Sequence, residues 1–478
     1  MNNIFKIRYF IILFLALGIL AGCSEDFLET KPSTSVSKTD VFDTPETARA
    51  VLVAIYREWR QFHSMNQSGL HCLALVSDCM GPDFWILRSW YSSEANYSSF
   101  TQTSGTVRYP WEMLYESINN INDLLANMDD VNGSQAEIDK VKGEALAMRG
   151  YCYFELVRRY QHTYGIASNQ PGIPIYTEPT TSETLGNPRS PVSDVYSQIL
   201  SDLNQAKNVI TSDRDHKGYF NIDVVNGLLA RVYLTMEDWD NAISHAQAAR
   251  QNYPLMSAEE WQGGFNDVNN QEWIWGQNNN AEEHPDWGSA TNTLDPDDSE
   301  YHITTATSLT NSYSATDVRG QLIITDGEGV HWNYKHAMAE PRYSGDYPLM
   351  RSAEMYLIEA EAMIRSSSYT DSDAQDALYM VQHRADPAAV KSTNTGQDLI
   401  DEILLEKRKE FWGEGIMFWD MLRNELPLER DDDHPFKLSI PANSWEFIFQ
   451  IPEREFLINK NMDLATDQNP ATGIYTGK

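Results

Sequence analysis

The stretch from Ser134 to Gly165, SQAEIDKVKGEALAMRGYCYFELVRRYQHTYG, constrains the fold more than any other, because its periodicity fits a long helix with neighbours on two sides. Ser134 and Glu137 have the spacing of a capping box. At about 100° per residue, Ile138, Val141, Ala145, Met148 and Cys152 form one apolar stripe, and Ala147, Gly150, Tyr151, Phe154 and Val157 a nearly opposite one. Glu137, Glu144 and Glu155 on one side, with Lys142 and Arg149 on the other, read as charged strips, so the pattern predicts a helix sandwiched rather than engulfed. Gly165 is the expected C-terminal stop, with Pro171 and Pro174 beyond it.

The same logic recurs as helix pairs. Ala230 at the small-residue position of a tetratricopeptide repeat places Leu229, Tyr233, Ala242, Ala246 and Pro254 at consensus spacing, with Asn226 and Ala246 replacing the usual Trp and Phe. A looser copy joins a helix over 350–366, carrying Ala360, to one over 371–385, carrying Ala374, Leu378 and Val381. Helix 134–160 with 191–210 makes a third pair, interrupted by a proline-rich crossing over 166–190. Stacked pairs of this kind form a solenoid. Helices are also expected over 44–60 and 111–128. Two stretches, about 73–100 and 261–347, lose periodicity and gain aromatic residues, and both read as loops.

A formal charge of -33 disfavours nucleic acid and anionic headgroups. With 41% hydrophobic and 11% aromatic residues the chain is too apolar to be disordered. Lys6 and Arg8 precede an apolar run, Tyr9 to Leu20, too short for a membrane span. Leu20-Ala21-Gly22-Cys23 follows and resembles a bacterial lipobox, which makes residues 1–22 a lipoprotein signal peptide and Cys23 the acylated residue. Ser24-Glu25-Asp26 resembles the surface-export signal of such lipoproteins. Cys152 lies on an apolar stripe and reads as inert core. Cys72 and Cys79, with six residues between them, fit a loop disulfide better than a helix, and their pairing stays open.

The run G-E-A-L-A-M-R-G-Y-C-Y-F-E-L-V-R-R-Y, followed by Tyr164-Gly165 and Gly172-Ile173-Pro174, resembles the central signature of the SusD/RagB family. Glu406, Arg408, Glu410 and Glu414 with the following Met417 to Arg423 resemble its E-x-R-x-x-E-F-x-x-E-G signature, and Ile451 to Glu455 with Gln468-Asn469-Pro470 its closing motif. The resemblance implies an outer-membrane lipoprotein of nutrient uptake that captures a glycan and passes it to a SusC-like TonB-dependent transporter. The family does not fix ligand contacts, so none are carried over.

Paired carboxylates run glycoside hydrolysis when about 5–10 Å apart, but Glu406 and Glu410 share a helical face with Arg408 between turns, the pattern of a structural ion-pair network. No H-E-x-x-H, G-x-S-x-G or phosphate loop is present. Asp295, Asp297, Asp298 and Glu300 lack the glycine of a calcium loop, so no metal or other cofactor is expected. Aromatic rings in loops suit glycans, because a pyranose presents an apolar C–H face. Trp273 and Trp275 alternate with Ile274 and read as core, whereas Trp85, Trp90, Tyr91, Trp287 and Trp332 are the candidate ligand contacts.

The expected fold class is therefore mainly α, an α-α superhelix of tetratricopeptide-like pairs with a long irregular aromatic-rich insertion. Residues 23–40 form the acylated N-terminus and tether, and 41–478 a single SusD-like domain. The function expected is binding without catalysis at the cell surface, held to the outer membrane by lipid, with an oligosaccharide ligand and no nucleic acid. A surface-anchored glycan hydrolase and a periplasm-facing scaffold that binds only protein are the alternatives.

Overall fold

The computed structural model describes residues 41–477 except 89, 99, 298–301 and 337–341. Cys23, the signal segment and the tether lie outside the described residues, as do Asp298 and Glu300 of the acidic loop. The larger helices are, in chain order, α1 (Pro45–Glu58), α2 (Leu70–Met80), α3 (Gly105–Asn127), α4 (Gln135–Tyr160), α5 (Val192–Val209), α6 (Ile222–Thr235), α7 (Trp239–Arg250), α8 (Ser352–Arg365), α9 (Asp371–Ala385), α10 (Gly396–Glu410) and α11 (Met417–Arg423), with the short α12 (Glu453–Ile458) near the end. The strands that concern the site are β1 (Phe84–Arg88), β2 (Trp273–Gln277), β3 (His302–Thr305), β4 (Ile323–Thr325), β5 (His331–Asn333) and β6 (Tyr347–Arg351). The fold is mostly helical, as its periodicity demands.

Helix α4 begins at the expected capping box, with Ser134 and Glu137 exchanging backbone and side-chain bonds. It ends at Tyr160 with Gln161 as cap, short of Gly165, which starts no stop but lies in a separate turn over Tyr164–Ala167. Both apolar stripes are buried. Of the charged strips, Glu144, Glu155 and Arg149 are buried too, whereas Glu137 stays exposed and Lys142 half-buried, so the sandwiched reading is corrected along the middle of the helix and holds at its start. Arg149 donates to Asp202 of α5 (2.7 and 2.9 Å) and to Asn122 of α3 (2.8 Å), so one guanidinium ties three helices together. Glu144 accepts from Arg49 (2.8 Å) and from the Tyr56 hydroxyl (3.0 Å) of α1, while Glu155 takes Arg158 and Arg159 on its own helix. Each charge entered the interior with a partner, which is the condition on which buried ions are tolerated.

Close approach of α4 and α5 depends on two glycines. A Cβ at Gly150 would sit 3.0 Å from Leu203, and one at Gly143 would sit 2.9 Å from Val209. These contacts explain why the G-E-A-L-A-M-R-G run opens and closes on glycine. Along the chain α5 packs on α6, α6 on α7, α7 on α8, and α8 on both α9 and α10, so each helix covers the next. One hydrophobic cluster extends through them from Ala48 to Met462.

Residues 73–100 are not the expected loop. LHCLALVSDCM is apolar nearly all round because α2 is buried on all sides, so it shows no stripe, and ten of its eleven residues, all but Ala74, are buried. After the turn at Gly81-Pro82 the chain enters β1, which pairs antiparallel with β3 across more than two hundred residues. Cys72 and Cys79 both sit on α2, about 10 Å apart along its axis, too far to bridge, and they are free, as is Cys152.

The 261–347 stretch is indeed an excursion from the helices, but it contains short structure. β2 and β6 pair antiparallel, with Gln277 opposite Tyr347, so the chain leaves and returns at the same place. Between them β4 and β5 form a hairpin, whose β5 packs on β3. Trp273 and Trp275 are core, as expected.

Candidate functional site

The insertion is fixed at its base by hydrogen bonds and ions. Asp346 accepts from the backbone N–H of Val268 (2.7 Å) and of Asn279 (2.6 Å), and Asn279 donates to the Gly345 carbonyl (2.8 Å). Burial pushes the Asp346 carboxyl up to about 6 despite those two bonds.

Beneath lies a buried charge cluster built by the carboxylates of the second signature. Glu410 accepts from Arg351 of β6 (3.0 Å), Arg384 of α9 (2.5 Å), Arg319 of the insertion (2.9 Å) and the Trp261 indole (3.2 Å). Glu414 takes Arg351 (2.8 Å) and Lys335 (2.5 Å), and Lys335 also donates to the carbonyls of Glu410 and Trp412. Glu406 pairs with Arg319 (2.6 Å), and Glu272 with Arg351 and Arg384. Burial alone would raise the Glu410 carboxyl, but Arg384, Arg351 and Arg319 hold it well below the usual carboxylate range. Burial draws the Lys335 ammonium down to about 8, with Glu414 opposing. Arg408 does not join this cluster as its position between Glu406 and Glu410 suggests. It turns to Asp83 (2.6 Å), just before β1, because a residue two from each lies on another face of α10.

The five candidate aromatics separate by burial. Trp85 is 6% exposed within β1, against the rings of His331 and His434, and Tyr91 is fully buried with its hydroxyl on the Met65 carbonyl (2.8 Å). Neither offers a face to solvent, and the expectation of platforms there is corrected: their Pro, Ser and Asp neighbours mark tight turns that feed the rings inward. Trp90 is 60% and Trp287 44% exposed. Trp332, on β5, is half-buried, its indole N–H on Asp326 (2.9 Å) and its ring edge-on to His302 at 5.1 Å.

Trp287 belongs to a group that spacing does not reveal. The Tyr343 ring lies 5.4 Å from it at 45°, His284 lies 5.9 Å beyond, and the Arg342 guanidinium sits 5.2 Å from the Trp287 ring and 4.8 Å from the Tyr343 ring. Asp286 (φ 48) and Tyr343 (φ 72) adopt left-handed backbone, a cost typically sustained at binding sites. Asn292 locks the loop by donating to the Trp287 carbonyl (3.0 Å) and accepting from Arg342 (3.2 Å). From below, His71 of α2 reaches the Gly288 carbonyl (2.6 Å). Burial lowers the His71 imidazole to about 4, so the ring is neutral, donating from Nε2. Its Nδ1, 3.1 Å from the Gln277 amide, is satisfied when the NH₂ end faces it, which also gives that otherwise unpartnered NH₂ an acceptor.

An exposed indole beside a phenol ring, a guanidinium and an amide, on a backbone that is already locked, can stack on the C–H face of a sugar and hydrogen-bond its rim. Sequence spacing does not mark Arg342 and Tyr343 as site residues, because they lie 55 and 56 positions from Trp287.

Among known proteins, residues 26–234 match the family described as "Starch-binding associating with outer membrane", and residues 239–471 match the SusD family. SusD-like protein P38 of Formosa agariphila is 22% identical, with 87% of this chain and 91% of that protein covered. The crystal structure of a SusD-like carbohydrate binding protein from Bacteroides vulgatus superposes with a TM-score of 0.81 at 28% identity, covering 88% of this chain and 98% of that one. A laminarin binding SusD-like protein superposes at 0.70 with 21% identity, covering 90% and 100%. With matches that run consecutively over residues 26–471 and a shared fold at both ends, the chain belongs to the SusD/RagB family.

Proposed function

We propose that this chain is a surface lipoprotein, acylated at Cys23, that captures oligosaccharide and delivers it to a SusC-like TonB-dependent transporter in the outer membrane. Residues 41–478 act in this reading as one SusD-like domain. The observation that carries it is the Trp287–Tyr343–Arg342 group, exposed on an insertion that the SusD signature carboxylates clamp to the helices. Trp90 and Trp332 are further contacts in this reading.

Binding without hydrolysis is supported by the state of the carboxylates. A glycosidase needs one acid poised to release a proton, whereas Glu406, Glu410 and Glu414 are buried and each paired with a guanidinium or ammonium group. Delivery rests on the family resemblance and on the lipobox at Cys23.

A glycan panel with the purified protein tests capture: retention without release of reducing ends is expected, and release would favour a hydrolase. Mild detergent extraction followed by affinity purification is expected to co-purify a much larger barrel, and recovery of the lipoprotein alone would count against delivery. Fatty-acid labelling that persists in Cys23→Ala would overturn the anchor.

A further inference from the structure

A cleft of about 490 Å³ opens between α3, the crossing over residues 171–190 and α12, and it shares no lining residue with the insertion. Its volume lies within the range of small-molecule sites, roughly 300–1,000 Å³. We infer that this cleft is a second ligand site, for a short neutral saccharide of one or two rings. The ligand class rests on the glycan-binding reading, but the residues are different ones.

The cleft is built rather than incidental. Tyr115 of α3 donates its hydroxyl to the Pro174 carbonyl (2.7 Å) and meets the Tyr176 ring edge-on at 5.9 Å, so two phenol rings turn one corner. Asn119, one turn along, accepts from the Thr180 backbone (2.7 Å) and hydroxyl (2.9 Å). The opposite wall is pinned just as firmly: Asn459 donates to the Asn187 carbonyl (2.8 Å), Asn461 to that of Gly186 (2.6 Å), and the Lys460 N–H to that of Leu185 (2.7 Å). Gly186 (φ +86) permits this approach, since a Cβ there would sit 2.3 Å from the side-chain amide oxygen Oδ1 of Asn459. Such a loop holds its shape without a guest, and little ordering cost is left for binding.

The lining selects by chemistry. Tyr115, Tyr176, Ile118 and the 60%-exposed Ile458 supply apolar faces. Thr181 and Thr184 hydroxyls accept loop N–H groups, leaving their own hydrogens for a guest, and Ser182 stands between them. Glu455 accepts from Trp111 (3.2 Å) and Asn459 (2.8 Å), with lone pairs remaining for sugar hydroxyls. The lining contains no lysine or arginine, in a chain of net charge -33, so an anionic guest has nothing to pair with. Apolar faces interleaved with neutral hydroxyls and one carboxylate match a pyranose rather than a hydrocarbon or a phosphate.

Titration of the purified protein with maltose, cellobiose and lactose, alongside the long-glycan panel, tests this. Thr181→Trp fills the cleft from an exposed position and is expected to weaken disaccharide binding at least tenfold, with Ile458→Asp as a second probe should the first unfold. Trp287→Ala is expected to leave disaccharide affinity within twofold while reducing long-glycan retention. Disaccharide binding that Trp287→Ala removes and the cleft variants leave intact would overturn the inference and spare the capture reading. So would long glycans retained by a wild-type protein that takes no disaccharide. Loss of both kinds of binding in the wild type would overturn both.

Discussion

Glu410, the last residue of α10, and Arg351, the last of β6, meet at 3.0 Å with both side chains wholly removed from solvent. The pair joins the C-terminal signature helix to the strand that closes the aromatic insertion, and Arg319 joins the same carboxylate from within that insertion. Charge at this point therefore ties the insertion to the helices.

Glu410→Gln should leave Arg351, Arg384 and Arg319 one shared carboxylate short in the interior, with only Glu272, Glu406, Glu414 and Asp317 to balance them. A destabilisation of about 3–5 kcal/mol is expected, whereas exposed Glu259→Gln should change stability by less than about 0.5 kcal/mol. Urea denaturation measures both, and equal effects would mean that the cluster does not hold the insertion.

Trp287→Ala and Trp273→Ala should separate binding from folding. The first removes a partly exposed ring and is expected to lower glycan retention with the melting temperature nearly unchanged. The second empties a buried site and should cost about 3–5 kcal/mol. A Trp287→Ala protein that melts early would place that ring in the core.

Acid should destabilise the fold between pH 6.5 and 4. His71 and His336 are buried and neutral, burial drawing them to about 4 and about 3. The unfolded chain takes up these protons first as pH falls, so each histidine removes up to about 3 kcal/mol over that interval. Asp346, raised to about 6 by burial, works the other way, since the native state binds its proton first. Burial draws His162, His245 and His434 to about 4 in the same way and raises the carboxyls of Asp78 and Glu359 alongside Asp346. The five histidines outweigh the three carboxyls, so thermal melts should fall as pH is lowered, and His71→Gln should flatten the curve. A melting temperature that rises on acidification would contradict the neutral assignment.

Reducing agent should leave the melting temperature unchanged, because Cys72, Cys79 and Cys152 are free and buried. Alkylation followed by mass spectrometry should label these three only after denaturation. A mass lower by two hydrogens would reveal a disulfide instead.

The sequence was most legible where local spacing carries the information. The α4 capping box, the α6–α7 pair and the break into the insertion follow from offsets of three, four and about thirty residues. Arg149 was misread as solvent-facing because Asp202, its partner, is on another helix and no periodicity points to it. α2 was misread as loop because complete burial erases the stripe that identifies a helix. Trp85 and Trp287 have similar polar neighbours, yet strand pairing with β3 buries one while the Asp286 turn exposes the other. That difference is made by tertiary structure alone.

Because β2 and β6 bring the two ends of the insertion side by side, the segment between them can be exchanged like a cartridge without lengthening or shifting any helix. The socket is not neutral, however. Any replacement must present cations where Arg319 and Lys335 now stand, or Glu406, Glu410 and Glu414 lose part of their counter-charge. Chimeras that transplant residues 278–346 from a relative with these two cations should fold, and those that arrive without them should not.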